Sequence, residues 1–225
     1  MLNVRCSLAT ATATATAAAA ALVLLTATGT AQAVPVTSLT GATTYEFAAL
    51  NHMGSGPITI APGITWTSQS AYSVYGWTHG YGFGGNGSWN SPLSMIGSNS
   101  GTDSMRIDFA SPVSAVAAFM NYAPGYGTPT MAVYNHQNSL LESYVLNFAT
   151  GGGSNNGEVH GFQESIANIA YMTLSGAYIG AAHLQVLAGS VPEPTSYALV
   201  AIALAAAAAA ARRRRPALLG RAQVG

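Results

Sequence analysis

No stretch of this chain constrains its fold more than residues 104–122. Met105, Ile107 and Phe109 alternate with Arg106 and Asp108, Ser111-Pro112 interrupts, and an apolar run from 113 to 122 follows. A period of two puts successive side chains on opposite faces, the signature of a strand with one buried face. The spacing therefore predicts two strands, the second entered by a turn at Ser111-Pro112. The same signature recurs upstream in Thr43-Thr44-Tyr45-Glu46-Phe47, Ile58-Thr59-Ile60 and Ile64-Thr65-Trp66-Thr67. Downstream, 131–134 and 140–148 predict a hairpin across Asn135-His136-Gln137-Asn138, whose Asn residues suit turns, and 166–174 and 183–187 predict further strands. No window between the two termini sustains a capped stripe of period 3.6. Short strands at close spacing, without helices between them, predict one all-β domain, an antiparallel β-sandwich or jelly roll.

Residues 68–103 depart from this pattern. Tyr72, Tyr75, Trp77, Tyr81, Phe83 and Trp89 are interleaved with glycines at 76, 80, 82, 84, 85 and 87. The composition predicts a short strand near 71–77 and an extended loop after it. Flat rings beside Asn and Ser, on a backbone that a polymer can approach closely, suit carbohydrate binding by Tyr72, Tyr75, Trp77, Tyr81 and Trp89. The competing expectation is that Tyr75 and Trp77 are core residues of the domain.

Both ends read as addresses. Arg5, an apolar run ending in Leu22-Val23-Leu24-Leu25 and the small-residue site Ala31-Gln32-Ala33 predict a secretory signal peptide over 1–33, cut before Val34. Cys6, the one cysteine, falls inside it, so the exported domain 34–190 has no disulfide. At the other end Val191-Pro192-Glu193-Pro194 precedes an uncharged, Ala-rich run over 195–211 and then Arg212, Arg213, Arg214 and Arg215. Helical at ~1.5 Å per residue, that run reaches only about 25 Å against a hydrocarbon core of ~30 Å. The arginines favour the cytoplasmic side, which leaves 34–190 outside and 216–225 as a cytoplasmic tail.

This tripartite end resembles the PEP-CTERM sorting signal of bacterial surface proteins. The resemblance implies an exosortase-type membrane enzyme as partner, transient residence in the inner membrane through the span over 195–211, and a mature form at the cell surface or outside it. It also implies association with extracellular polysaccharide or biofilm. A second resemblance rests on Arg106-Ile107-Asp108-Phe109, Pro112-Val113-Ser114-Ala115-Val116, Phe119, Val133-Tyr134, Phe162, Ile166-Ala167-Asn168-Ile169 and Leu174-Ser175-Gly176. These positions look like the β-sandwich cargo of many PEP-CTERM proteins, which implies a fold and no functional residues. Where such cargo has a more acidic final strand, this chain has Ala181-Ala182-His183-Leu184-Gln185-Val186.

Charge excludes several functions. Six of the seven basic residues lie in the two end segments, so 34–190 keeps only Arg106 against Glu46, Asp103, Asp108, Glu142, Glu158 and Glu164. Such a surface has no footprint for phosphate backbones, which argues against nucleic acid as a partner. His52, His79, His136, His160 and His183 are each more than twenty residues apart, without metal-site spacing. The carboxylates are not paired by sequence as a glycosidase requires, and no Gly-x-Ser-x-Gly elbow occurs. The expectation is a protein that is not an enzyme and holds no cofactor, with Asp103, Asp108 and Asn121 the one grouping suited to calcium.

Overall fold

The computed structural model describes residues 33–189 and the single position Leu204. The predicted leader as far as Gln32, the sorting segment apart from Leu204 (with Val191, Pro192, Glu193, Pro194 and Arg212 to Arg215), and the tail 216–225 lie outside the described residues. Among the described residues no helix is long and apolar enough to cross a membrane.

Fifteen strands are described. They are β1 (Val34–Val36), β2 (Thr43–Tyr45), β3 (His52–Met53), β4 (Ile58–Ala61), β5 (Ile64–Ser68), β6 (Val74–Trp77), β7 (Tyr81–Gly82) and β8 (Ser88–Trp89). Then follow β9 (Met95–Gly97), β10 (Ser104–Asn121), β11 (Thr130–Tyr134), β12 (Leu140–Val145), β13 (Glu158–Gln163), β14 (Ile169–Ser175) and β15 (Gly180–Ala188). All pairings between them are antiparallel. The predicted antiparallel all-β architecture is what forms.

The expected turn at Ser111-Pro112 does not separate two strands: β10 runs unbroken for 18 residues. Its first half pairs with β14 on one edge and β5 on the other; its second half pairs with β13 and β15. The register shifts between Asp108 and Val113 and again between Val113 and Ala115. The buried face accordingly changes parity, from Met105, Ile107, Phe109 and Val113 to Val116, Ala118 and Met120. A bulge inserts one unpaired residue, which bends a strand and swaps its faces while the ladder continues. Pro112, which has no N–H to donate, sits within this irregular stretch.

The bend lets one strand serve two layers. β12, β11, β14, the first half of β10, β5 and β4 form one; β1, β13, the second half of β10, β15, β2, β9, β6 and β3 form the other. A single buried cluster holds Trp66, Ile107, Met131, Val133 and Met172 from the first with Val116, Met120, Phe162, Leu184 and Val186 from the second. The β11–β12 hairpin closes as predicted: Asn138 takes a φ of 60°, and the Asn135 side chain accepts from the Gln137 and Ser139 amides at 3.0 and 2.9 Å.

The span after Trp77 is not the expected extended loop. β7, β8, a 3-10 turn at Gly84–Asn86 and β9 fold it over the outer face of the second layer. There Val74, Tyr81, Phe83, Trp89, Met95 and Ala182 form a second buried cluster. Glycine makes this packing possible: a Cβ on Gly180 would meet Met95 at 2.8 Å and Phe83 at 2.9 Å.

Candidate functional site

The rings proposed for carbohydrate stacking do not form a platform. Tyr75, Tyr81 and Trp89 are 1, 7 and 0 % exposed, Trp77 is half-buried against the second cluster, and Tyr72 alone stands out at 69 %. The Trp89 indole N–H donates to the Asn156 carbonyl at 2.6 Å. The Tyr81 hydroxyl donates to the Tyr178 carbonyl at 3.1 Å and accepts from the Asn99 amide at 2.9 Å. Burial pushes that phenol well above its ordinary range, against the opposing effect of the Asn99 hydrogen bond. These aromatic rings are buried because a Gly-rich chain can press them onto the sheet.

In the grouping considered for calcium, Asp108 and Asn121 are engaged with protein partners. Asp108 lies thirteen positions before Asn121 along β10. Arg106 clamps Asp108 with its Nε at 2.8 and 2.9 Å and a further contact from its terminal nitrogen. The same guanidinium lies 3.6 Å from the centre of the Tyr171 ring, which stacks on Tyr134 at 4.7 Å. Asn121 is buried and spends its amide on the carbonyls of Asn86 and Asn156, both at 3.0 Å. Among the described residues no group of three or more His, Cys, Asp or Glu is placed to hold a metal ion.

The structure instead singles out His183. Phe119 pairs with Ala182 and Ala117 with Gln185, so His183 and Leu184 together face Ala118 alone. This second bulge puts His183 at a φ of 49°, a conformation that costs an ordinary side chain about 1–3 kcal/mol. Opposite β15, β2 pairs Tyr45 with Leu184, so the next step of the register sets Glu46 across from His183. The two meet: His183 Nδ1 lies 2.7 and 2.8 Å from the Glu46 carboxylate oxygens. The imidazole leans on Phe119 at 5.9 Å, and Phe119 stacks on buried Trp89 at 5.4 Å.

This arrangement borders an open cleft. Pro92, Leu93, Phe119, Asn155 and His183 line about 350 Å³ of it. A second hollow of about 410 Å³ shares Phe119 and Asn155 and is otherwise lined by Ala149, Thr150, Asn156, Gly157 and Glu158. Binding sites for small ligands fall in this size range and combine an apolar floor with a few fixed polar groups. At the far end Glu158 contacts His160 at 3.1 Å, and His160 is stacked between Tyr144 and Phe148 at 5.7 and 5.2 Å. A smaller hollow of about 230 Å³ at Gly82, Gly84, Ala123, Tyr126 and Tyr178 offers mainly apolar surface.

Sequence reasoning grouped neither Phe119 with His183 nor Glu46 with either. One signal was present: Ile179 and Ala181 face the core at odd positions, Leu184 and Val186 at even ones, and His183 sits at the slip.

Residues 190–215 match the PEP-CTERM protein-sorting motif. No curated protein matches the chain. Among solved structures, a fucose binding module from Streptococcus pneumoniae is similar over 42 % of this chain and 70 % of its own, at 11 % identity and a TM-score of 0.29. The lectin binding domain of Lectinolysin, a His 62 mutant complexed with Lewis b, is similar over 43 % of this chain and 72 % of its own, at 14 % identity and a TM-score of 0.30. CsCBM6-3 from Clostridium stercorarium, in complex with cellobiose, covers 49 % of this chain and 82 % of its own, at 16 % identity and a TM-score of 0.31.

Proposed function

We propose that this chain, whose residues 190–215 are a PEP-CTERM protein-sorting motif, is an exported surface or matrix protein that binds rather than catalyses. The motif is the observation that supports export and sorting. An exosortase-type membrane enzyme takes the precursor, removes the tail and leaves the β domain at the cell surface or in the extracellular polymer. The short, Ala-rich run over 195–211 supports removal over permanent anchoring, because it is marginal for a ~30 Å hydrocarbon core. Mass spectrometry of the mature protein from its own host should find no peptide C-terminal to Ala211. An intact tail in most molecules would sink the processing step.

The ligand that suits the Phe119 cleft is a neutral polysaccharide. His183 with Glu46, Asn155 and Glu158 offer donors and acceptors for hydroxyl groups around an aromatic edge, and among the described residues the one arginine, Arg106, is paired with Asp108 rather than free to draw an anionic polymer. Strain at His183 supplies a sharp test. A glycine there adopts positive φ freely, so His183→Gly should raise stability by about 0.5–1 kcal/mol in denaturant unfolding. The exposed His183–Glu46 contact offsets little of that gain. The same variant should lose retention on the host's extracellular polysaccharide. A variant that is more stable and binds as before removes the cleft as the binding site.

A further inference from the structure

Among the described residues one carboxylate is buried, and it lies outside the cleft. Glu164 follows β13 and is 4 % exposed. Its amide donates to the Ser114 carbonyl at 2.7 Å, which continues the ladder onto β10. Neither carboxylate oxygen reaches a hydrogen-bond donor, although both are buried. Burial raises the carboxyl above its ordinary range, and the nearby Asn168 amide offsets only part of that. A buried carboxylate without a cation beside it is costly, and groups of this kind are normally paired.

The missing partner is legible in the register of β1. Val34 pairs with Gln163, Pro35 with Phe162 and Val36 with Gly161. One further step sets Ala33 directly across from Glu164, on the same inward face, where cross-strand Cβ atoms lie about 4.5–5.5 Å apart. Ala33 is 1 % exposed and belongs to the main core cluster. Ala33 is also the last residue of the predicted leader.

We propose that Glu164 is the docking site for the mature N-terminus, created when the chain is cut between Ala33 and Val34. A signal-peptidase-type endopeptidase adds water across the Ala33–Val34 peptide bond: the oxygen goes to the Ala33 carboxylate, and the Val34 nitrogen leaves as an α-ammonium. Removal of Ala33 vacates the position facing Glu164, and the ammonium, one bond beyond it, pairs with the waiting carboxylate. The precursor thus holds an orphaned acid that processing satisfies, so the cut chain closes β1 more firmly than the uncut one.

The surroundings leave Glu164 as the partner. β13 and β12 border β1, and their titratable residues are Glu158 and His160 on the former and Glu142 and Tyr144 on the latter. In register, Glu158 and His160 lie beyond the C-terminal end of β1, away from Val34. Arg106 is committed to Asp108 and Tyr171 on the other layer.

This inference rests on the export reading, and the sequence provides a clean probe for it. The chain has no lysine, so an amine acylating reagent marks its N-terminus alone. The full chain, expressed with its leader in an exporting bacterium, should yield a product that begins at Val34. Its amine should acylate at pH 7.5 at least about sixfold more slowly than in the Glu164→Gln variant, because pairing raises an α-amino pKa of roughly 7.7–8.0 by a unit or more. The pH dependence of acylation in the unsubstituted protein reads the same quantity without a variant. A midpoint near 8, equal rates in the two proteins, or a start other than Val34 overturns the inference. A product that keeps Met1 overturns the export reading with it.

Discussion

Trp66→Ala is expected to lower unfolding free energy by about 3–5 kcal/mol, the range for deleting a large buried aromatic. Trp66 is fully buried on β5, opposite Ile107 of β10 and Ile58 of β4. Its ring meets Tyr75 at 5.4 Å, and Tyr75 in turn meets Phe47 at 5.7 Å, so one side chain ties the first layer to the second. For a domain of this size each kcal/mol moves the melting temperature by roughly 2–4 °C, so the loss is easily read by calorimetry. Trp66→Phe isolates the packing contribution. The indole N–H of Trp66 is buried and has no acceptor. Phe removes that unsatisfied donor, whose burial costs about 1–3 kcal/mol, and keeps most of the ring. Its net cost should be less than half that of the Ala variant. A cost below about 1 kcal/mol for Trp66→Ala would mean that the two layers do not share the core described.

Gly76→Ala is the second large effect, and its cause is backbone. Gly76 has a φ of +58°, and a Cβ there would collide with the Ala48 carbonyl oxygen and lie 2.7 Å from the Leu50 nitrogen. These are main-chain atoms, with no side chain that could rotate away. The left-handed conformation alone costs an alanine about 1–2 kcal/mol. Displacing the 48–50 segment, whose neighbour Asn51 donates its amide to the Gly76 carbonyl at 2.9 Å, should bring the total to about 3 kcal/mol or more. Gly80→Ala is the control: its Cβ meets nothing within 4 Å, and its effect should stay within about 0.5 kcal/mol. Equal melting temperatures for the two variants would remove the close approach of β6 to the 48–50 segment.

Local chemistry was readable in the sequence and long-range registry was not. The β11–β12 hairpin was legible because Asn135 and Asn138 carry their own turn signal in side-chain acceptors and tolerance of positive φ. Alternation at Met105, Ile107 and Phe109 marked a strand, but Pro112 looked like its end because a bulge can be seen only as a change of parity further on, at Val116. The 68–103 span misled for a related reason. Glycine content reads as loop, yet Gly97 and Gly180 are where Tyr81, Phe83 and Met95 press onto the sheet. The candidate site was the least legible part. Glu46 and His183 are 137 residues apart, and only the pairing of β2 with β15 brings them together.

The bend in β10 also sets how the domain is hung. Val34 pairs with Gln163, which pairs with Ala115, and on the other side of the same strand Leu187 pairs with Ala115 and Ala188 with Val113. Entry and exit of the chain therefore flank one point, just past the bend. A leader held at one of these ends and a sorting segment at the other would pull on the same corner, like two cords tied to one ring. Tension between them passes through three neighbouring strands without crossing the core. The Asn121 end of β10, with Phe119 and its cleft, lies at the other end of the strand from this corner.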